Sequence, residues 1–180
     1  MVNALAITTG VLAIVGVAPW LIYLGALAKI TDVVTNGQWS QAQEQTVIML
    51  EWYTVAAQFV NLVILAVCSF VPHAMKRTHS MFSNWFAVNT ALIIYRTTLR
   101  IVDLNQIQDG ANPGNIIALP CTPAALQDDA EKYVTAEIVG MIVTSFWNFL
   151  LSIFFSIAGT GHVQPQAKKE EDKPAQPVAA

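Results

Sequence analysis

Charge is scarce in this sequence. Asp, Glu, Lys and Arg make up 12% of its 180 residues, about half of what an ordinary soluble domain carries. Cysteine is scarcer still. Cys68 sits deep in an apolar run and Cys121 in a turn-rich stretch, so no intrachain disulfide is expected. The net charge is only −3, and Lys and Arg nowhere form a block or interleave with aromatics, which argues against nucleic-acid partners. Phosphate-loop, nucleophile-elbow and zinc-protease motifs are missing, so no cofactor and no soluble-enzyme chemistry is indicated. His73 and His79 have no third ligand nearby, so no metal site is expected. The first apolar run contains Gly10, Gly16 and Gly25 but lacks the G-x-x-x-G spacing of a dimerising helix.

What the sequence has is long hydrophobic runs, at about 4–28, 47–71, 82–101 and 134–158. A run of about 20 residues in a helix spans about 30 Å, the thickness of a bilayer core. The first run exceeds a signal-peptide core of roughly 7–15 residues and follows no basic residue, so it reads as a retained span. Pro19 is expected to kink it, and Trp20 and Tyr23 are expected at the membrane interface. The expected fold is an all-α membrane protein: a four-transmembrane-helix bundle occupying 1–158. An outer loop joins helices three and four, and a disordered cytoplasmic tail covers 159–180. Loops are expected over 30–45, around His73, Lys76, Arg77 and His79, and over 104–132. The Lys76–Arg77 pair assigns the second loop to the cytoplasm by the positive-inside rule. Both termini then lie in the cytoplasm and the acidic third loop outside, in the plasma membrane or an endomembrane. Lys29 lies on the outer side and runs against the rule.

The third run carries ionisable groups. Asn89, Arg96, Arg100 and Asp103 follow one another at seven, four and three residues, a spacing that puts them on one helical face. An Arg at the bilayer centre costs about 2.5–3.5 kcal/mol on insertion scales, so this face is expected to meet protein or water. The second run offers Glu51, Thr54, Gln58 and Asn61 on one face. The fourth offers Glu137, Thr144, Asn148 and Ser152. In the expected topology Glu51, Arg100, Asp103 and Glu137 stand at the outer end. Arg96 reaches up to join them, and amides and hydroxyls form a layer below.

Two readings of these residues stay open. One is interhelical glue, worth about 0.6 kcal/mol per hydrogen bond. The other is a lipid-binding pocket, in which Arg96 and Arg100 grip an anionic or phosphate headgroup. Asp103, Glu51 and Glu137 would then balance the charge or meet an amine, and Gln58 would join them as a ligand-binding residue. A third, enzymatic reading has Glu51 or Asp103 protonating an isoprenoid. An acid that faces Arg is ill placed to give up a proton, so no catalytic residue is assigned.

The segment Arg96-Thr97-Thr98-Leu99-Arg100-Ile101-Val102-Asp103 resembles the signature of the fungal RTA-like family of lipid-translocating exporters, which has two Arg and an acid near the end of its penultimate span. Asp109-Gly110, Glu131-Lys132-Tyr133 and Glu137 are similar to the turn and acids that follow, and Gln58 with Lys76-Arg77 to the span before. Members of that family have seven spans, and their acid is usually Glu where Asp103 stands here. The resemblance therefore covers the C-terminal half, about 58–162. It implies lipid handling or lipid-analogue resistance with membrane lipids as partners, by a shortened relative or a homo-oligomer. By span count and terminal placement the chain also resembles MARVEL-type tetraspan proteins, which implies a membrane-organising scaffold without catalysis.

Overall fold

In a computed structural model the described residues are 4–36, 42–71, 73–108 and 124–160. Among them every regular element is an α-helix: α1 (Ala4–Val15), α2 (Val17–Asn36), α3 (Ala42–Phe70), α4 (Ala74–Gln108) and α5 (Ala124–Thr160). Three stretches are long and apolar enough to cross a membrane: Ala4–Asp32, which joins α1 to α2, Ile48–Phe70 in α3 and Glu131–Gly159 in α5. The chain is thus that of an integral membrane protein. Helix α4 falls short of that average apolarity because of its Asn, Thr and Arg residues.

The break between α1 and α2 lies at Gly16, whose N–H still donates to the Leu12 carbonyl at 2.9 Å. Three residues on, Pro19 has no N–H to offer the Val15 carbonyl, which explains an interruption one turn before the proline. Trp147 of α5 fits against this break. Its indole Nε1 donates to the Leu12 carbonyl at 3.0 Å, and a Cβ at Gly16 would stand 2.5 Å from that nitrogen. Glycine here makes room for the tryptophan.

Several stretches expected as loops are helical. Helix α4 begins at Ala74, so Lys76, Arg77 and His79 occupy its first turns. The connection from α3 is a tight turn: His73 takes a left-handed φ of 63°, and the Ala74 N–H donates to the Val71 carbonyl at 3.2 Å. Helix α2 continues to Asn36 and α3 begins at Ala42, inside the expected first loop. At the far end α4 continues to Gln108 and α5 starts at Ala124, which shortens the expected third loop. There the Gln108 Nε2 donates to Glu131 Oε1 at 2.9 Å. A polar residue ends an apolar run without ending a helix, because the backbone hydrogen bonds stay within the segment. The turn signals at Asn112-Pro113-Gly114, the thiol Cys121 and the tail after 160 lie outside the described residues.

The helices pack inside out relative to a soluble bundle. Val88 is 63% exposed and Phe146 64%, while Asn89, Arg96, Arg100, Glu137 and Asn148 are buried. Apolar packing still fills both ends. Near one end Phe82 and Phe86 of α4 meet Phe155 of α5, with ring centroids 6.2 and 5.7 Å apart. Near the other, Ile30, Ile48, Val134 and Ile138 form a smaller cluster. Trp20 and Tyr23 correct the expected interfacial placement. Trp20 donates from Nε1 to the Val55 carbonyl at 2.9 Å, and Tyr23 is fully buried.

A close backbone approach joins α2 to α5. A Cβ on Gly140 would stand 2.8 Å from the Tyr23 amide nitrogen and 2.9 Å from its Cα. Main chain cannot yield as a flexible side chain does, so Gly140→Ala should force the two helices apart. We expect a loss of about 1–3 kcal/mol, read as a lower melting temperature of the detergent-solubilised protein. Gly25, with nothing within 4 Å of its added Cβ, is the control: Gly25→Ala should leave the melting temperature unchanged or raise it slightly.

Candidate functional site

The stripe on α4 turns inward and meets acids from both neighbours. Glu51 of α3 takes up both guanidinium groups. Its Oε1 accepts from Arg96 Nε at 3.0 Å and from Arg96 Nη2, and its Oε2 accepts from Arg100 Nη2 at 2.7 Å. Arg100 also donates from Nη1 to Asp103 Oδ2 at 3.3 Å, one turn along the same helix. From α5, Glu137 brings its Oε2 to 2.9 Å from Arg100 Nε. That N–H does not point at the oxygen, so the contact is one of charge without a hydrogen bond, and both Glu137 oxygens lack a hydrogen-bond partner. Glu51, Arg100 and Glu137 are all 0% exposed.

The elements explain why these five groups converge. Helix α4 runs antiparallel to α3 and α5, and all three carry their polar residues at helical spacing on the facing sides. Separations of three and four residues stack Arg96, Arg100 and Asp103 on successive turns. Glu51 sits opposite the gap between the two Arg, where one carboxylate reaches both. Formally the cluster holds three acids and two bases, an excess of one negative charge.

A second polar layer ties the same helices together. Gln58 and Asn148 pair reciprocally: Gln58 Nε2 donates to Asn148 Oδ1 at 2.6 Å, and Asn148 Nδ2 donates to Gln58 Oε1 at 3.0 Å. Asn89 Nδ2 donates to the same Gln58 Oε1 at 2.6 Å, and Asn148 Nδ2 reaches Thr90 Oγ1 at 3.0 Å. Seven residues separate Glu51 from Gln58 and Asn89 from Arg96, so the layers lie about 10 Å apart along the helices.

Of the residues expected to form a site, Arg96, Arg100, Asp103, Glu51 and Glu137 are thus brought together, and Gln58 lies in the second layer. Tyr23 and Thr90 were not anticipated. Tyr23, buried in the field of Glu137, Glu51 and both Arg, also leaves its hydroxyl without a hydrogen-bond partner. Nothing in its spacing on the first run separates it from an interfacial aromatic. Thr90 follows Asn89 directly and could have been found from that neighbour.

Neither of two surface grooves touches the ionic cluster. The larger, about 510 Å³, lies between α3 and α4 and is lined by Tyr53, Ala56, Ala57, Val60, Asn61, Asn84, Trp85, Val88, Asn89 and Leu92. A smaller one of about 310 Å³ lies between α4 and α5, with Thr97, Thr98 and Ser145 among apolar neighbours. The guanidinium groups are covered by acids and helix, so space for a ligand lies beside the amide layer. No family model matches this chain, and no curated protein or solved structure matches it either.

The charge arithmetic makes a ranked prediction. Glu51→Gln removes the countercharge of two buried Arg and should cost about 3–5 kcal/mol. Glu137→Gln removes the surplus acid, leaves Arg100 with Glu51 and Asp103, and should cost less than half as much. Thermal unfolding of the two variants in one detergent checks the order. Equal losses would mean that Glu137 carries as much of the lock as Glu51.

Proposed function

We propose that this chain is a four-span membrane protein that binds lipid sideways, in the groove between α3 and α4. Support for α4 as the fourth span comes from its surface. Met81, Trp85, Val88, Ile94, Tyr95, Ile101 and Val102 face outward, while Asn89, Thr90, Arg96, Thr97, Arg100 and Asp103 are buried. The ion cluster is, in this reading, the frame that holds α3, α4 and α5 in register. The groove is the working part, and it carries the reading: an opening of about 510 Å³ with apolar walls, within the common size range of ligand sites, on the membrane-spanning stretch of α3. This keeps the lipid-handling function that the RTA-like resemblance implies but moves the lipid from Arg96 and Arg100 to the groove. The MARVEL-like scaffold is the second reading. It is favoured by one observation, that every base of the buried cluster is already paired with an acid of the same chain.

Lipid carried through purification separates the two. Ala57→Phe fills the groove and leaves every residue of both polar layers in place. It should reduce co-purifying lipid several-fold, measured by mass spectrometry of extracts, while the melting temperature holds. Equal lipid on both proteins would favour the scaffold.

We also propose that both termini are cytoplasmic, following Lys76 and Arg77, in the plasma membrane or an endomembrane. A membrane-impermeant thiol reagent should then label Cys121 only from the non-cytoplasmic face in a Cys68→Ser background. Labelling from the cytoplasmic face would invert the topology.

A further inference from the structure

We propose that the α3–α4 groove takes a neutral lipid alcohol, whose hydroxyl bonds to the side chain of Asn89. This deepens the lipid reading above and rests on it.

Three observations select that chemistry. First, an acceptor is missing its donor. Asn89 lines the groove and is 4% exposed. Its Nδ2 is spent on Gln58, and its Oδ1 is buried with no hydrogen-bond partner. A buried acceptor left open costs about 1–3 kcal/mol, so a group that supplies a donor is favoured there. A hydroxyl supplies that donor, whereas an ether or ester oxygen can only accept.

Second, none of the groove's lining residues is charged. Glu51 and Arg96, two residues before Tyr53 and four after Leu92, are paired to each other. A phosphate or ammonium headgroup would find no countercharge in the groove, and burying it unpaired is prohibitive.

Third, the depth is wrong for a headgroup. Asn89 bonds to Gln58, which stands near the middle of the candidate span Ile48–Phe70. Ordinary phospholipids keep their charged ends at the interface, whereas a single hydroxyl can be carried to that depth when a partner waits for it. The groove follows α3 from Tyr53 to Asn61 and α4 from Asn84 to Leu92, about 12 Å along each helix. That length accommodates part of one chain or a compact ring body. Asn61, one turn beyond Gln58 on α3, adds a second amide to the same lining.

The test uses the full chain in phosphatidylcholine vesicles and three photoreactive, alkyne-tagged probes: a long-chain alcohol, its methyl ether and a phosphatidylcholine. Labelled peptides are read by mass spectrometry. The alcohol should label the peptides containing Tyr53 and Trp85 roughly three- to ten-fold more than the ether, the worth of about one hydrogen bond. Asn89→Leu should bring the alcohol down to the ether's level, and Ala57→Phe should suppress both. If Asn89→Leu lowers the melting temperature sharply, the alcohol-to-ether ratio on the unaltered protein decides. Equal labelling of the groove by alcohol and ether overturns the alcohol assignment and leaves the lipid reading standing. Labelling that avoids the groove with all three probes overturns both.

Discussion

One carboxylate holds the centre of this molecule together. Glu51 is shared between two guanidinium groups on the neighbouring helix, and Arg100 meets Asp103 and Glu137 besides. In hydrocarbon a lone Arg is expensive, and an isolated pair merely balances its own desolvation. A shared acid with Asp103 and Glu137 around it does more, because the groups screen one another in several directions. The arrangement fixes the axial register of α3 against α4: sliding either helix by a turn would leave a charge without its mate. Specificity of pairing, more than net stabilisation, is what such a cluster contributes.

The amide layer works differently. Gln58, Asn89, Asn148 and Thr90 carry no charge, and each bond is worth little in a bundle. Their value lies in mutual dependence, since Gln58 accepts from two helices with one oxygen. Two polar layers along the same three helices set rotation as well as register. Between the layers and the helix ends, Phe82, Phe86, Phe155 and the aliphatic cluster at Ile30 fill space without specifying much.

The site was more legible than the ends of the helices. Helical spacing put Arg96, Arg100 and Asp103 on one face, and the cost of a charge in lipid required Glu51 and Glu137 to turn toward them. Both arguments depend on period and solvation, which a sequence displays directly. Element ends were less visible. Lys76, Arg77 and His79 look like a loop because they are polar, yet nothing about them breaks a helix. Tyr23 escaped because an aromatic near the end of an apolar run has the same signature whether it faces lipid headgroups or a buried charge. The groove was invisible for another reason. It is made by what α3 leaves small, at Ala56 and Ala57, opposite what α4 leaves polar, and only the pairing of two helices shows that coincidence.

The tight turn at His73 has a consequence for how the chain enters a bilayer. Helices α3 and α4 are joined so closely that they form one hairpin, with acid on one arm and bases on the other. Glu51 can meet Arg96 and Arg100 as soon as that hairpin closes, before α5 has been synthesised. The acid and the bases of one hairpin thus offset one another's charge within two consecutive helices.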